Sequence, residues 1–122
     1  MFAEVSSPTD SQTVNWILSH PEMEVFVAAD SLDKAVGVLA MSHRPKMRLA
    51  GRIATIDELV VLNAWRRKGV GRELVKRAVE RARVLGVKRV ELQNMSGAKD
   101  IALGFYAACG FTEGPTIVFS LK

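Results

Sequence analysis

The chain has 122 residues and a formal net charge of +4, with 48% hydrophobic and 25% charged residues, the balance of an ordinary globular domain. That length predicts one domain, 1–122, burying roughly two-thirds of its unfolded surface. No apolar run approaches the ~20 residues of a membrane span, and the single cysteine excludes an internal disulfide and fits a reducing compartment.

With no basic-then-apolar leader at the N-terminus, the cytoplasm is the expected location. Much of the basic charge sits between 66 and 89, and the few aromatic residues are not interleaved with it. That pattern suits one small polyanion better than a nucleic acid, which stacks its bases on aromatic platforms. Neither His20 nor His43 stands at ligand spacing from acids or Cys109, so no metal site is expected.

Pro8-Thr9-Asp10 offers caps for a helix carrying Val14, Trp16, Ile17 and Leu18 and ending near His20-Pro21. Glu24–Ala29 reads as a strand, Asp30–Lys34 as a turn and Ala35–Ser42 as the next strand. His43–Gly51 reads as a basic, proline-containing loop and Arg52–Leu62 as a long strand. From Gly69 to Leu85, Val70, Leu74, Val75, Ala78, Val79, Ala82 and Leu85 fall on one helical face, and Gly86 stops the helix. Lys88–Leu92 is a strand, Ala98–Ala108 a second helix, and Phe111–Glu113 with Thr116–Leu121 a closing strand pair around Gly114-Pro115. Strands followed by an alternating strand–helix–strand–helix unit predict a mixed α/β three-layer domain.

The most informative segment is Arg66-Arg67-Lys68-Gly69-Val70-Gly71, which joins the apolar run Leu59-Val60-Val61-Leu62 to the long helix. Glycines let a backbone curl so that its N–H groups approach an anion, and a helix start aims its unpaired N–H groups at the same place. A dinucleotide fingerprint would need glycine where Leu74 stands, and no P-loop pattern occurs.

The pattern R-x-x-G-x-G after a strand resembles the pyrophosphate-binding signature of the GNAT superfamily of acyl-CoA-dependent N-acyltransferases. Ala102-Leu103-Gly104-Phe105-Tyr106-Ala107-Ala108-Cys109-Gly110-Phe111 is similar to the segment that closes those domains. Order and spacing agree from about Thr13 onward, and Val36-Gly37-Val38-Leu39-Ala40 resembles the family's glycine-containing third strand. The resemblance implies an α/β (α+β) fold with a mixed, mostly antiparallel central sheet flanked by helices. It also implies a family strand and helix ahead of Thr13, where this sequence has only Met1–Ser7. That first strand and helix are therefore expected to be missing or reduced, with Phe2–Val5 at most a short strand.

The same resemblance implies acetyl-CoA as cosubstrate and transfer of its acetyl group to a primary amine, of a small molecule or a peptide, by direct attack in a ternary complex. A non-catalytic acyl-CoA-binding or regulatory module is the other reading. Backbone groups of Leu59, Val60 and Val61 would hold the pantetheine arm and the thioester, and Arg66, Arg67, Lys68, Gly69, Val70, Gly71 and Arg72 the pyrophosphate. Tyr106 stands where the family has its general acid, with Lys99 where many relatives have asparagine and Asn94 as a substitute. A lysine-like amine with pKa about 10.4 must lose a proton, at a gap costing roughly 4–5 kcal/mol at neutral pH. Strand alternation puts Asp57 on the face of Leu59 and Val61, making it the first candidate base, with Glu58 in reserve because a bulge would exchange them. The uncovered edge of Glu24–Ala29 predicts a homodimer.

Overall fold

The computed structural model of the chain describes residues 11–92, 105–112, 114 and 119–121. A short helix, α1 (Ser11–Leu18), precedes the antiparallel strands β1 (Met23–Ala29), β2 (Ala35–Lys46) and β3 (Gly51–Val61). Helix α2 (Val70–Val84) then crosses over to β4 (Arg89–Leu92), which lies parallel to β3. Sheet order equals chain order, β1-β2-β3-β4, so a meander runs into one βαβ unit.

Each connection has a local cause. Asp30 closes the first turn by accepting the Leu32 and Lys34 N–H groups on its carboxylate, an Asx-type turn. Helix α2 stops where Gly86 takes a left-handed φ of 74°. There Gly86 N–H reaches the Arg83 carbonyl and Val87 N–H the Ala82 carbonyl, the paired bonds of a Schellman motif. Val87 then packs against the core cluster.

The expected loop His43–Gly51 is corrected. Strand β2 continues through His43 to Lys46, and only a 3₁₀ turn, Met47–Leu49, and Ala50 remain before β3. Pro45 does not break the ladder because alternate residues of β2 turn their N–H groups to opposite sides. His43 N–H faces the β1 side, where it reaches the Glu22 carbonyl. Pro45, two residues on, faces the same side beyond the end of β1, where no ladder donor is required.

Leu39, Met41, Ala54, Ile56 and Leu59 of the sheet form the core with Leu74, Val75, Ala78 and Ala82 of α2 and with Tyr106. Gly37 sets how closely the helix seats. A Cβ there would lie 2.9 Å from Val70 Cγ1 and 3.1 Å from Leu74 Cδ1, so a bare backbone lets the first turn of α2 rest on β2. Residues 105–108 form a helical turn; the remainder of the expected helix from Ala98 lies outside the described residues, as does Phe2–Val5. Of the expected closing strand pair, residues 111, 112 and 119–121 carry no strand, and the rest is outside the description.

Candidate functional site

Strand β3 changes character along its length. Ile53–Ile56 pair with β2 on one side and with β4 on the other, but the β4 register ends at Ile56↔Leu92. Beyond it, among the described residues, only β2 pairs with β3. The Leu62 N–H donates to the Val36 carbonyl at 2.9 Å, which fixes the alternation backward along the strand. The N–H and C=O groups of Val61 and Leu59 therefore turn away from β2, and those of Val60 turn toward it.

Between the two halves lies a β-bulge. Ala40 pairs with Glu58 while Met41 pairs with Ile56, leaving Asp57 as the extra residue. This corrects the expected alternation: Ile56, not Asp57, shares the face of Leu59 and Val61, and Glu58 lies on the opposite face beside Ala40. Ile56, Leu59 and Val61 are buried, whereas Asp57 and Glu58 are both exposed.

After Val61 a 3₁₀ turn, Asn63–Trp65, leads into the basic glycine turn. Its three cations are not equivalent. Arg66 is half-buried and its Nε–H donates to the Val61 carbonyl at 3.2 Å. Lys68 sets its ammonium 5.1 Å from the Trp65 ring centroid, within cation–π range. Arg67 is exposed with a left-handed φ of 63°, and Gly69 follows at 82°. Two left-handed residues this close curl the backbone as in anion-binding nests.

Gly69 is the N-cap of α2 and offers no side-chain cap, and the first helical bond runs from Glu73 N–H to the Gly69 carbonyl. Val70, Gly71 and Arg72 thus begin the helix with N–H groups that have no carbonyl four residues back to bond. Nothing lies within 4 Å of a Cβ built on Gly69, so the turn needs glycine there for its φ and not for space.

Tyr106 comes to this end of the sheet from the other side in sequence. It is buried in the cluster with Leu59 and Leu74, its ring edge-on to Phe105 at 5.2 Å and Phe111 at 6.4 Å. The helical turn carrying it ends as α2 does: Gly110 has φ 94°, Gly110 N–H bonds the Ala107 carbonyl and Phe111 N–H the Tyr106 carbonyl. Gly110-Phe111 is thus a second Schellman stop that clamps the tyrosine. Burial pushes the Cys109 thiol up, against the opposing pull of the Arg72 guanidinium.

The structure so gathers Leu59, Val61, Arg66 and the start of α2 around one end of β3, with Tyr106 in the same core cluster as Leu59 and Leu74. Asn94 and Lys99 lie outside the described residues. One contact that sequence reasoning missed is at the other end of β2. His43 is buried, and its Nδ1 accepts from an Arg52 Nη at 2.9 Å. Because arginine only donates, Nδ1 is the acceptor, and Nε2 meets no hydrogen-bond partner among the described residues.

The family model described as the acetyltransferase (GNAT) family matches residues 1–111. Glucosamine 6-phosphate N-acetyltransferase 1 of Oryza sativa subsp. japonica is 36% identical over 86 residues, 66% of this chain and 50% of that protein. The chain therefore spans half the length of this curated relative. Among solved structures, aminoglycoside acetyltransferase meta-AAC0020, from an uncultured soil metagenomic sample and in complex with trehalose, superposes with a TM-score of 0.79 at 28% identity. That match covers 95% of this chain and 77% of that one. A transcriptional regulator from Bacillus halodurans C-125 superposes with a TM-score of 0.77 at 30% identity, covering 88% and 73%.

Proposed function

Because the chain belongs to the GNAT acetyltransferase family, we propose that it transfers an acetyl group from acetyl-CoA to a primary amine by direct attack within a ternary complex. The observation that carries this reading is the continuity of one binding track. The outward backbone groups of Leu59 and Val61 lead, within five residues, into the glycine turn and the open N-terminus of α2. An extended amide-bearing arm suits the first part and a pyrophosphate the second. Acetyl-CoA would bring an activated thioester; the chain's residues orient it and manage charge and protons around it.

In this reading Val61 N–H points at the carbonyl oxygen on which negative charge develops, a fixed donor in a water-poor place. Val70, Gly71 and Arg72 N–H groups, with Arg67 and Arg72 cations, take the phosphates. Tyr106 donates a hydrogen bond to the departing sulfur; proton transfer from a phenol (pKa about 10) to a thiolate (about 8.5) runs uphill by about 2 kcal/mol at reference values, so it comes late. The bulge exchanges the order of the two acids. Glu58, fixed opposite Ala40, becomes the first candidate to take the ammonium proton, directly or through water, and Asp57 the second.

The acceptor is an amine of a small molecule or a peptide. No helix among the described residues is long and apolar enough to cross a membrane, in keeping with a cytoplasmic enzyme. We also propose a homodimer. A groove of about 760 Å³ runs between the β1 edge, Val25 to Ala28, and the flank of α2. Strand β1 is an edge strand among the described residues, and such edges are normally covered. Thiol release from acetyl-CoA, measured across amines, amino acids and aminoglycosides, tests the function. Tight acetyl-CoA binding without amine-dependent release would instead support a non-catalytic acyl-CoA module, a reading that the similar transcriptional regulator keeps in view.

A further inference from the structure

The Arg66 side chain does something its place in a basic run does not announce. Its Nε–H is spent on the Val61 carbonyl at 3.2 Å. That carbonyl and the Leu62 N–H belong to one peptide group. The N–H end of the peptide is held by the Val36 carbonyl of β2 at 2.9 Å, so the carbonyl end points the other way, to the side on which no described strand pairs with β3 beyond Ile56. The backbone of Arg66 is tied as well, since its N–H closes the 3₁₀ turn on the Asn63 carbonyl at 3.2 Å and Trp65 N–H does so on Leu62 at 2.8 Å. The peptide after Val61 is therefore clamped between β2 and Arg66, and the clamp is anchored at the residue from which the glycine turn departs.

We infer that Arg66 is a positioning residue: its hydrogen bond to the Val61 carbonyl sets the orientation of the end of β3 relative to the anion-binding turn. The outward Val61 N–H, one peptide earlier, owes its direction to this clamp. Without the clamp the carbonyl must find another donor in a half-buried place, and the last residues of the strand can rotate. An error of about 1 Å in a donor suffices to lose much of its effect on a developing charge. The role calls for an in-plane N–H donor at a set distance, not for charge. It rests on the proposed acetyl transfer for its consequence in catalysis, but not for the clamp itself.

Three variants separate the donor from the charge. Glutamine places its Nε2 the same number of bonds from Cα as the arginine Nε, so Arg66→Gln keeps a donor and loses the charge. Arg66→Met keeps the stem and loses both, and Arg66→Lys keeps the charge with its nitrogen one bond too far. The expected result is a fall in kcat of about tenfold or more for Arg66→Met and a clearly smaller fall for Arg66→Gln. Arg66→Lys should resemble Arg66→Met in kcat although its KM for acetyl-CoA stays near that of wild type. Amide hydrogen exchange in the ligand-free protein gives a readout independent of any activity. Leu62 should exchange about tenfold faster in Arg66→Met than in wild type or Arg66→Gln, with the amides of α2 as the folding control. Equal Leu62 exchange in all four proteins would overturn the clamp. So would a series in which lysine behaves as wild type while glutamine and methionine are equally impaired in KM alone. If wild type releases no thiol with any amine, the function fails, and the exchange rates still decide the clamp.

Discussion

The two halves of β3 differ in one respect that governs all the others. From Ile53 to Ile56 the strand is paired on both sides, and its backbone polar groups are consumed by the ladders. From Leu59 to Val61, among the described residues, it is paired by β2 alone, and every second residue turns an N–H and a C=O away from β2. The bulge at Asp57 separates the halves. An extra residue there sharpens the local twist while the strand stays on β2. The closed half makes the fold; the open half has binding groups left over. Both halves share one core face, because Ala54, Ile56 and Leu59 all pack in the same cluster. A sheet can thus turn backbone groups away from its neighbour strand while the apolar side chains of the same residues stay in the core.

If the open half works as proposed, the largest effect should come from Tyr106, which shares the core cluster of Leu59. Tyr106→Phe is expected to lower kcat by about 10²-fold, with acetyl-CoA affinity and melting temperature almost unchanged. Activity equal to wild type would make the ring a packing element of the core and leave the sulfur to water.

The next effect concerns the far end of the track. Gly69→Val adds a Cβ that meets no described atom within 4 Å, but it forces a β-branched residue to a φ of 82°. The turn should rearrange, and the rise in melting temperature on adding acetyl-CoA should disappear. An undiminished shift would remove the glycine turn from the binding track.

How far the sequence foretells this arrangement depends on what each residue answers to. The apolar face of α2 is periodic, and the core contains Leu74, Val75, Ala78 and Ala82 from it. Gly86 and Gly110 are stops legible from chain grammar, and for Gly110-Phe111 the structure gives the physical content of a motif noticed only by likeness. The bulge, which the sequence left as the alternative, has a local signal: Ile56 and Leu59 are three apart with two acids between, which no strict two-residue period accommodates. Extending β2 through Arg44-Pro45-Lys46 could not be read locally, because Pro45 is tolerated only where β1 ends, a fact about a partner strand. The division of labour among Arg66, Arg67 and Lys68 was hidden for a similar reason. One is claimed by a carbonyl five residues upstream and another by a tryptophan ring.

The comparison sharpens at the bulge itself. Glu58→Gln should reduce kcat by about tenfold, chiefly at low pH where more of the amine is protonated, and Asp57→Asn should reduce it less. Rate profiles across pH for the two variants check this, and the reverse order would mean that the acid displaced from the ladder, not the one paired with Ala40, takes the proton. On the closed side, Gly37→Ala should cost about 1–3 kcal/mol of stability by pressing a methyl onto Val70, read as a lower urea midpoint. Because the same contact seats the first turn of α2, acetyl-CoA affinity should fall with it.

The smallest effect should come from Arg67, and it tests whether the turn is built for binding at the expense of folding. A non-glycine residue at φ 63° carries a left-handed penalty of about 1 kcal/mol, and nothing in its exposed position repays it within the fold. Arg67→Gly removes that strain but also frees the unfolded chain, so the net gain should be at most about 0.5–1 kcal/mol, visible as a small rise in the urea midpoint. The same change deletes a cation beside the phosphates and should raise the KM for acetyl-CoA a few-fold, more at low salt than at high. Opposite signs for stability and affinity would mark Arg67 as a residue held in an unfavourable conformation for its charge. A loss in both would mean that the left-handed turn depends on the arginine side chain, and that the open half of β3 and the helix it feeds are fixed by more than the backbone.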